Sequence, residues 1–328
     1  MTSLLFRISS ELNLSPYGLS ELARTAWRRY KVFTIPKRTE GRRTIAQPSK
    51  ALKEVQRWLV GNELKDLPLH NAAMAYREKR NIGLNAKAHS ASNFLLKMDF
   101  ANFFPSIHPE HLTNHIARYG RGRWSHADIT LICSLVFWRP KGSPLLQLCI
   151  GGPASPFISN TVMYDFDLLV DKYCSDKGVT YTRYADDLAF STREPNVLPE
   201  IEEAIFEFCK KLDYPQLVVN RGKTVHASRA VARKVTGLVL TPDHKVSIGR
   251  ERKRMIRAGI NRWNNGQLDA EEIEKIVGLL AFARDVEPDF VRRMAEYYGA
   301  NSLQKLFALA SKKRKQSSRE KRLHRAVA

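Results

Sequence analysis

The chain has 328 residues, 54 of them Lys or Arg and 33 Asp or Glu, which leaves a net charge of +21 and a pI near 10.0. A hydrophobic content of 43% at this length supplies cores for two or three packed subdomains, so disorder throughout is excluded. A surplus of +21 exceeds what solubility needs and points to a polyanion, above all nucleic acid. Cys133, Cys149, Cys174 and Cys209 lie far apart with no CxxC pair, which argues against a zinc site or disulfide framework. No apolar run reaches the ~20 residues that span a bilayer. The apolar stretch in MTSLLFRISSELN is too short for a signal peptide, so a reduced, cytoplasmic setting away from membranes is expected.

Residues 1–30 have helical spacing through Leu12, Leu19, Leu22, Ala23 and Trp27. YKVFTIPKRTEGRRTIAQPS (30–49) predicts two short strands around a charged turn at Gly41. From Arg24 to Arg57 there are 11 Lys/Arg against 2 Glu, a concentrated basic surface. A helical pattern at 50–66 precedes an apolar strand, FLLKMDF (94–100), and helices are predicted at 109–119 and 127–138. Ser155-Pro156 reads as an N-cap with proline at the first helical position. Ile158, Val162, Phe166, Leu169, Val170 and Tyr173 then line one face of a single helix. TYTRYADDLAFST (180–192) predicts a hairpin turning at Ala185-Asp186. A helix at 197–212, a strand at 216–219 and a hairpin-like stretch at 233–250 follow. Ile273, Ile276, Val277 and Leu280 begin a helical C-terminal region. The last seventeen residues carry 8 Lys/Arg and one Glu and read as a flexible basic tail. There is no internal repeat or low-complexity linker, so the subdomains are expected to pack as one body.

Chemistry concentrates in Asp186-Asp187 and in the strand-borne Asp99. Three carboxylates brought together resist burial unless a cation sits among them. Two Mg²⁺ ions meet that need and also activate a hydroxyl and stabilise a leaving pyrophosphate in an in-line displacement. Mg²⁺ favours a few carboxylates plus substrate phosphates over a complete protein cage. An isolated Asp-Asp is more often a polar turn; Tyr184 before it, apolar strands on both sides and a second strand ending in Asp favour the metal reading. His108, His111 and His115 lack acidic or cysteine companions, and a solvated helix face is expected there rather than a metal site.

YADD together with KMDFANFFPSI (97–107) resembles the palm of a reverse transcriptase, and the motif order resembles that family over about residues 30–300. NAKAH (85–89) fits the NAxxH motif and VTG (235–237) the VTG motif of bacterial retron reverse transcriptases. The resemblance implies an α+β right-hand polymerase fold. Fingers would fall at 1–95, a palm with an antiparallel sheet at 96–250, a helical thumb at 251–311 and a basic tail at 312–328. It also implies RNA-directed DNA synthesis on a dedicated structured noncoding RNA, from a 2′-hydroxyl of a guanosine in that RNA, leaving a branched RNA–DNA product. Such systems are associated with antiphage defence. The implied partners are the cognate RNA, its DNA product and dNTPs, with an effector or toxin protein as a further candidate.

Carried over by motif, Asp99, Asp186 and Asp187 are the metal-binding catalytic aspartates, and the Phe100 carbonyl is a further metal ligand. Phe104, five residues after Asp99, stands where the family places a sugar gate. One of Phe103 and Phe104 is expected in the core, because strand neighbours point oppositely. Arg42 and Arg43 stand where fingers grip the triphosphate, a task suited to planar guanidinium donors. Either could equally be a surface residue. Lys223 corresponds to the lysine that stabilises or protonates pyrophosphate, with a solvated lysine as the competing reading. CIGGPASP (149–156) departs from the usual PQG pattern by placing Ile150 where glutamine is common, which puts a glutamine-type nucleotide contact in doubt. Gly151 and Gly152 still allow close backbone approach to a nucleotide. Asn85, His89, Val235, Thr236 and Gly237 are implied in RNA recognition, and Arg250, Arg252, Lys253, Arg254 and Arg257 fit phosphate contacts. The alternatives are a group II intron-like or diversity-generating reverse transcriptase and, from another class, a catalytically silent RNA-binding protein. The missing maturase and nuclease regions oppose the first, Ser-Pro rather than Ser-Gln the second, and the three aspartates the last.

Overall fold

A computed structural model describes residues 3–37 and 41–309. In chain order these form α1 (Leu4–Glu11), α2 (Pro16–Thr25), β1 (Tyr30–Pro36), β2 (Arg42–Pro48), α3 (Lys50–Trp58), α4 (Ile82–Ala88), β3 (Phe94–Asp99), α5 (Pro109–Tyr119), α6 (His126–Val136), α7 (Ser155–Val162) and α8 (Tyr164–Asp176). Then come β4 (Thr180–Tyr184), β5 (Asp187–Thr192), α9 (Leu198–Lys211), β6 (Val225–Ala227), β7 (Arg233–Val235), β8 (Leu238–Leu240), β9 (Val246–Ser247), α10 (Arg250–Asn264), α11 (Ala270–Val286) and α12 (Pro288–Tyr298). The basic tail at 312–328 lies outside the described residues.

Internal contacts divide the chain into two units, one of residues 1–81 with 92–228 and one of 82–91 with 229–328. The expected boundaries at 95 and 250 follow the family's anatomy, whereas the contacts divide the chain elsewhere. The reason is α4, which leaves its sequence neighbours and packs on β7, β8 and β9.

In the first unit, a four-stranded antiparallel sheet has the order β4-β5-β3-β6. Its central strands are nearly all buried, with Leu96, Met98, Leu188 and Phe190 sharing one core with the helices. β1 and β2 form a separate antiparallel ribbon. In the second unit, β7-β8-β9 make a small antiparallel sheet, followed by the helices α10, α11 and α12. α11 starts where Asp269 accepts the backbone N–H groups of Glu271 and Glu272 at 2.8 and 2.9 Å, satisfying donors that a helix start leaves open.

Four expectations need correction. The helix predicted from Ser155 to Tyr173 is two helices, α7 and α8, broken at Met163, and Leu169 is exposed rather than on the packed face. Ser155 is the first helical residue rather than the cap, with its buried hydroxyl 3.8 Å from Cys149 Sγ. Residues 216–219 are not a strand. Only Val219 pairs, with Phe100, and the sheet's edge is β6, because β3 is bonded there by Val225–Ala227. The histidine face is not solvated: His111 and His115 are buried. His111 Nδ1 accepts the His108 backbone N–H at 3.1 Å, and His115 Nε2 lies 2.7 Å from Thr161 Oγ1. Burial pulls the His115 imidazole down to about 4, so it is neutral packing material rather than a surface cation.

Candidate active site

β3 ends on Asp99 and β5 begins on Asp187, and the antiparallel register sets these two residues directly opposite each other. β4 and β5 are joined by the two residues Ala185 and Asp186, with Ala185 in the left-handed region at φ 59°. The backbone around Asp99 is held from two sides. Phe100 N–H donates to the Asp186 carbonyl at 3.1 Å, and the Asp99 carbonyl accepts Asn220 N–H at 2.7 Å. The sequence alternation of FLLKMD and DLAFST therefore does more than bury side chains. It terminates two neighbouring strands on carboxylates at one end of the sheet.

Burial first, and then the charges of Asp186 and Asp99, push the Asp187 carboxyl up to about 6. Asp186 is raised for the same two causes, burial foremost and Asp99 after it. Lys223, in the turn Arg221–Lys223, donates from Nζ to Asp99 Oδ1 at 2.8 Å, and that bond holds its ammonium above the usual lysine range. Lys223, Arg43 and Lys97 all act on the hairpin carboxylates as opposing positive charges. Among the described residues no three His, Cys, Asp or Glu side chains converge as a ready-made metal cage. The donor chemistry nevertheless suits a divalent cation. Asp99 disfavours ionisation of Asp186, both disfavour ionisation of Asp187, and an added cation relieves that repulsion.

A cleft of about 410 Å³ in the same unit is lined by Phe104, Tyr76, Ile150, Gly151, Gly152, Gln47, Lys53 and Arg57. Phe103 is the core member of the aromatic pair, 3% exposed and stacked on Phe100 at 6.0 Å, while half-buried Phe104 reaches the cleft. The two separate by a turn rather than by strand alternation, since residues 101–106 form no strand. Gly151 has φ 115°, and a Cβ there would stand 3.0 Å from Ile45 Cγ2 and 3.2 Å from the Ala46 carbonyl oxygen. That close approach lets Ala46 N–H donate to the Ile150 carbonyl at 2.9 Å and straps the loop to β2. Ile150 lines the cleft with an aliphatic side chain, so no amide is available at that position. Adjacent strand residues face opposite sides, and the two arginines of β2, Arg42 and Arg43, diverge accordingly. Arg42 donates to Thr34 Oγ1 at 2.7 Å and to the Thr34 carbonyl at 3.1 Å, whereas Arg43 acts on Asp186 and Tyr76.

Sequence reasoning missed Tyr76, Lys53 and Arg57. Tyr76 has φ 59°, its ring centroid lies 6.4 Å from that of Phe104, and burial followed by Asp186 raises its hydroxyl. It sits in an irregular stretch with no periodicity to betray it. Lys53 and Arg57 did carry a signal, a basic i,i+4 pair on α3.

In the second unit, Asn85 and His89 are 1% and 0% exposed. The expectation that their side chains meet RNA directly is corrected by that burial. Asn85 is on α4, which packs on the sheet joined by the Thr236-Gly237 turn, and His89 follows directly after that helix. Val235 is buried; Thr236 and Gly237 form the β7–β8 turn, both with positive φ, at 46° and 78°. That backbone suits a tight hairpin, yet it is uncommon for a β-branched residue. Thr236 is held there by donating from Oγ1 to the Ile82 carbonyl of α4 at 3.3 Å. The two sequence motifs are thus one packed device. Arg250, Lys253, Arg254 and Arg257, with Asn261 and Tyr298, line a cleft of about 700 Å³ on α10 and α12. Arg252 instead donates to the Gly237 carbonyl at 2.7 Å and braces the turn.

No helix among the described residues is long and apolar enough to cross a membrane. The family profile for reverse transcriptase (RNA-dependent DNA polymerase) matches residues 35–245. The retron Ec83 reverse transcriptase of Escherichia coli is 38% identical over 84% of this chain and 89% of its own length. The retron Ec86 reverse transcriptase of Escherichia coli is 32% identical over 91% of each. Among solved structures, apo telomerase from Candida tropicalis superposes with a TM-score of 0.52 at 13% identity, over 86% of this chain and 58% of that one, a likeness of fold. Hairpin carboxylates, sheet order and family match agree on a right-hand polymerase fold, and the chain belongs to the retron reverse transcriptases, RNA-directed DNA polymerases.

Proposed function

We propose that this polymerase copies part of its own structured noncoding RNA into single-stranded DNA, starting from a 2′-hydroxyl of a guanosine in that RNA. The product is a branched RNA–DNA hybrid, and its setting is antiphage defence, with an effector or toxin protein as a candidate partner. The observation that carries the reading of the site is the opposition of Asp99 and Asp187 across β3 and β5, with Lys223 bonded to Asp99.

In this reading Asp99, Asp186, Asp187 and the Phe100 carbonyl hold two Mg²⁺ ions. When bound, these ions supply charge for activating the attacking hydroxyl and for stabilising the departing pyrophosphate. The protein's own groups do the rest. Lys223, kept protonated by Asp99, offers a positive charge and a proton to the pyrophosphate. Arg43 and Lys53 supply cations for the triphosphate, and Gly151 and Gly152 let it approach the backbone. Phe104 excludes a 2′-hydroxyl and so selects dNTPs. Residues 1–95, 96–250 and 251–311 serve as fingers, palm and thumb. The turn Thr236-Gly237, buttressed by α4, and the cations of α10 meet the RNA through its shape and its phosphates.

The test is to incubate purified protein with the structured RNA encoded beside its gene, Mg²⁺ and dNTPs. DNA that keeps the branching guanosine after base hydrolysis of the RNA, and that a debranching nuclease releases from the intact RNA, is the expected product. DNA formed only from an added primer's 3′-hydroxyl would reject the self-priming reading.

A further inference from the structure

The largest fully buried side chain in the first unit is a cation outside the reaction just described. Arg183 is 0% exposed, and so is its partner Asp167. The guanidinium grips the carboxylate with two bonds, Nε to Oδ1 at 2.8 Å and Nη2 to Oδ2 at 2.6 Å. Tyr181 donates its hydroxyl to the same Oδ1 at 2.8 Å. The remaining arm, Nη1, donates to Asn160 Oδ1 and to the Ala185 carbonyl, each at 3.1 Å. Asn160 in turn donates from Nδ2 to the Ala75 carbonyl at 2.8 Å.

A pair of this kind is a poor source of stability. Desolvating two charges offsets most of their attraction, and well-packed apolar residues of similar size commonly do as well. Direction is what the pair adds. The carboxylate locks the planar guanidinium, so Nη1 can aim at only one place. That place is the backbone of the hairpin turn. Ala185 precedes Asp186 and is held at φ 59°, where a residue with a Cβ is disfavoured. The other end of the network holds Ala75, beside Tyr76, also at φ 59°. Two strained positions flank the site, and one buried network holds the backbone at both.

We propose that Arg183, oriented by Asp167 and Asn160, is the positioning residue that sets the hairpin carboxylates and the Tyr76 wall of the cleft. The inference rests on the reading that Asp186 and Asp187 carry the reaction.

The test is the paired apolar replacement Arg183→Met with Asp167→Leu, which removes both charges together. Three quantities are measured in the full chain: the unfolding temperature, amide hydrogen exchange of residues 184–187, and kcat for dNTP addition. Positioning predicts an unfolding temperature within a few degrees of wild type, at least roughly tenfold faster exchange in the hairpin, and kcat about 100-fold lower. A double variant with wild-type exchange and wild-type kcat would overturn the proposal and leave the pair a structural filler. Arg183→Lys covers the case in which the double variant does not fold. It keeps the charge beside Asp167 but lacks the fork, so the same faster exchange and reduced kcat are expected, and wild-type values again reject the role. Asp187→Asn is run beside them. If it synthesises DNA at full rate, the aspartate reading fails, while the exchange data still decide what Arg183 does.

Discussion

Asp187 illustrates how a carboxylate proposed to bind metal conflicts with the fold that carries it. Its carboxyl is raised to about 6 by burial and by the charges of Asp186 and Asp99, so the folded state disfavours its ionised form. Replacing it with Asn removes that repulsion. Asp187→Asn and Asp186→Asn are therefore expected to reduce primer extension with Mg²⁺ by about 1,000-fold or more while the unfolding temperature stays level or rises. Extension at the wild-type rate in either variant would end the metal assignment. Phe104 provides a second expectation at this scale. Its ring borders the cleft, and specificity is a ratio of kcat/KM values. Phe104→Ala should shift the ratio of ribonucleotide to deoxynucleotide incorporation upward by about tenfold or more. An unchanged ratio would assign the gate to another wall, with Tyr76 the next residue to test.

Among the elements, α4 and the sheet β7-β8-β9 show how two distant motifs act as one. Asn85 and His89 are inside, so truncating them should loosen the helix from the sheet rather than remove surface contacts. The double variant Asn85→Ala with His89→Ala is expected to lower the unfolding temperature and to weaken binding of the cognate RNA more than of an unrelated RNA. Equal weakening of both, read by competition binding, would remove the selective role from this segment. Close packing also fixes α10 on α11. A Cβ at Gly259 would come 2.2 Å from Ile276 Cδ1 and 2.5 Å from Cγ1. Alanine favours a helix over glycine by about 1 kcal/mol, but overpacking of this severity costs about 1–3 kcal/mol. Gly259→Ala should therefore destabilise by about 1 kcal/mol in urea unfolding. Adding Ile276→Val removes Cδ1, the nearer of the two colliding carbons, so the pair should cost less than the two single changes summed.

For the whole molecule, charge decides how tightly nucleic acid binds but not which one. A net +21 attracts any phosphate backbone and makes affinity fall steeply with salt. Removing residues 312–328 takes away 8 Lys/Arg and one Glu. Cognate and unrelated RNA should then lose affinity by similar factors, with a shallower slope of log affinity against log salt. A loss confined to the cognate RNA would show that the tail reads sequence or shape.

Much of the site was legible because it is local. Two apolar runs separated by two residues determine a hairpin, and a carboxylate written at its tip goes where the hairpin goes. A strand ending in Asp99 needed only pairing with its neighbour to complete the arrangement. The excess of cations and the Gly-Gly of the loop at 151–152 were equally readable, since charge is additive and a close approach of backbone is open to a residue without a Cβ. Burial is different, because it depends on what the rest of the chain brings up. Arg42 and Arg43 have the same chemistry in sequence, and only the ribbon's register turns one to Thr34 and the other toward Asp186. Asn85 and His89 are implied in RNA recognition by their motif, and only the packing of α4 on a sheet some 150 residues away puts them inside. Arg183 looked like one more basic residue among 54 Lys and Arg. Its burial on β4 depends on Asn160 arriving from α7 and Asp167 from α8, a convergence that no short stretch of sequence contains.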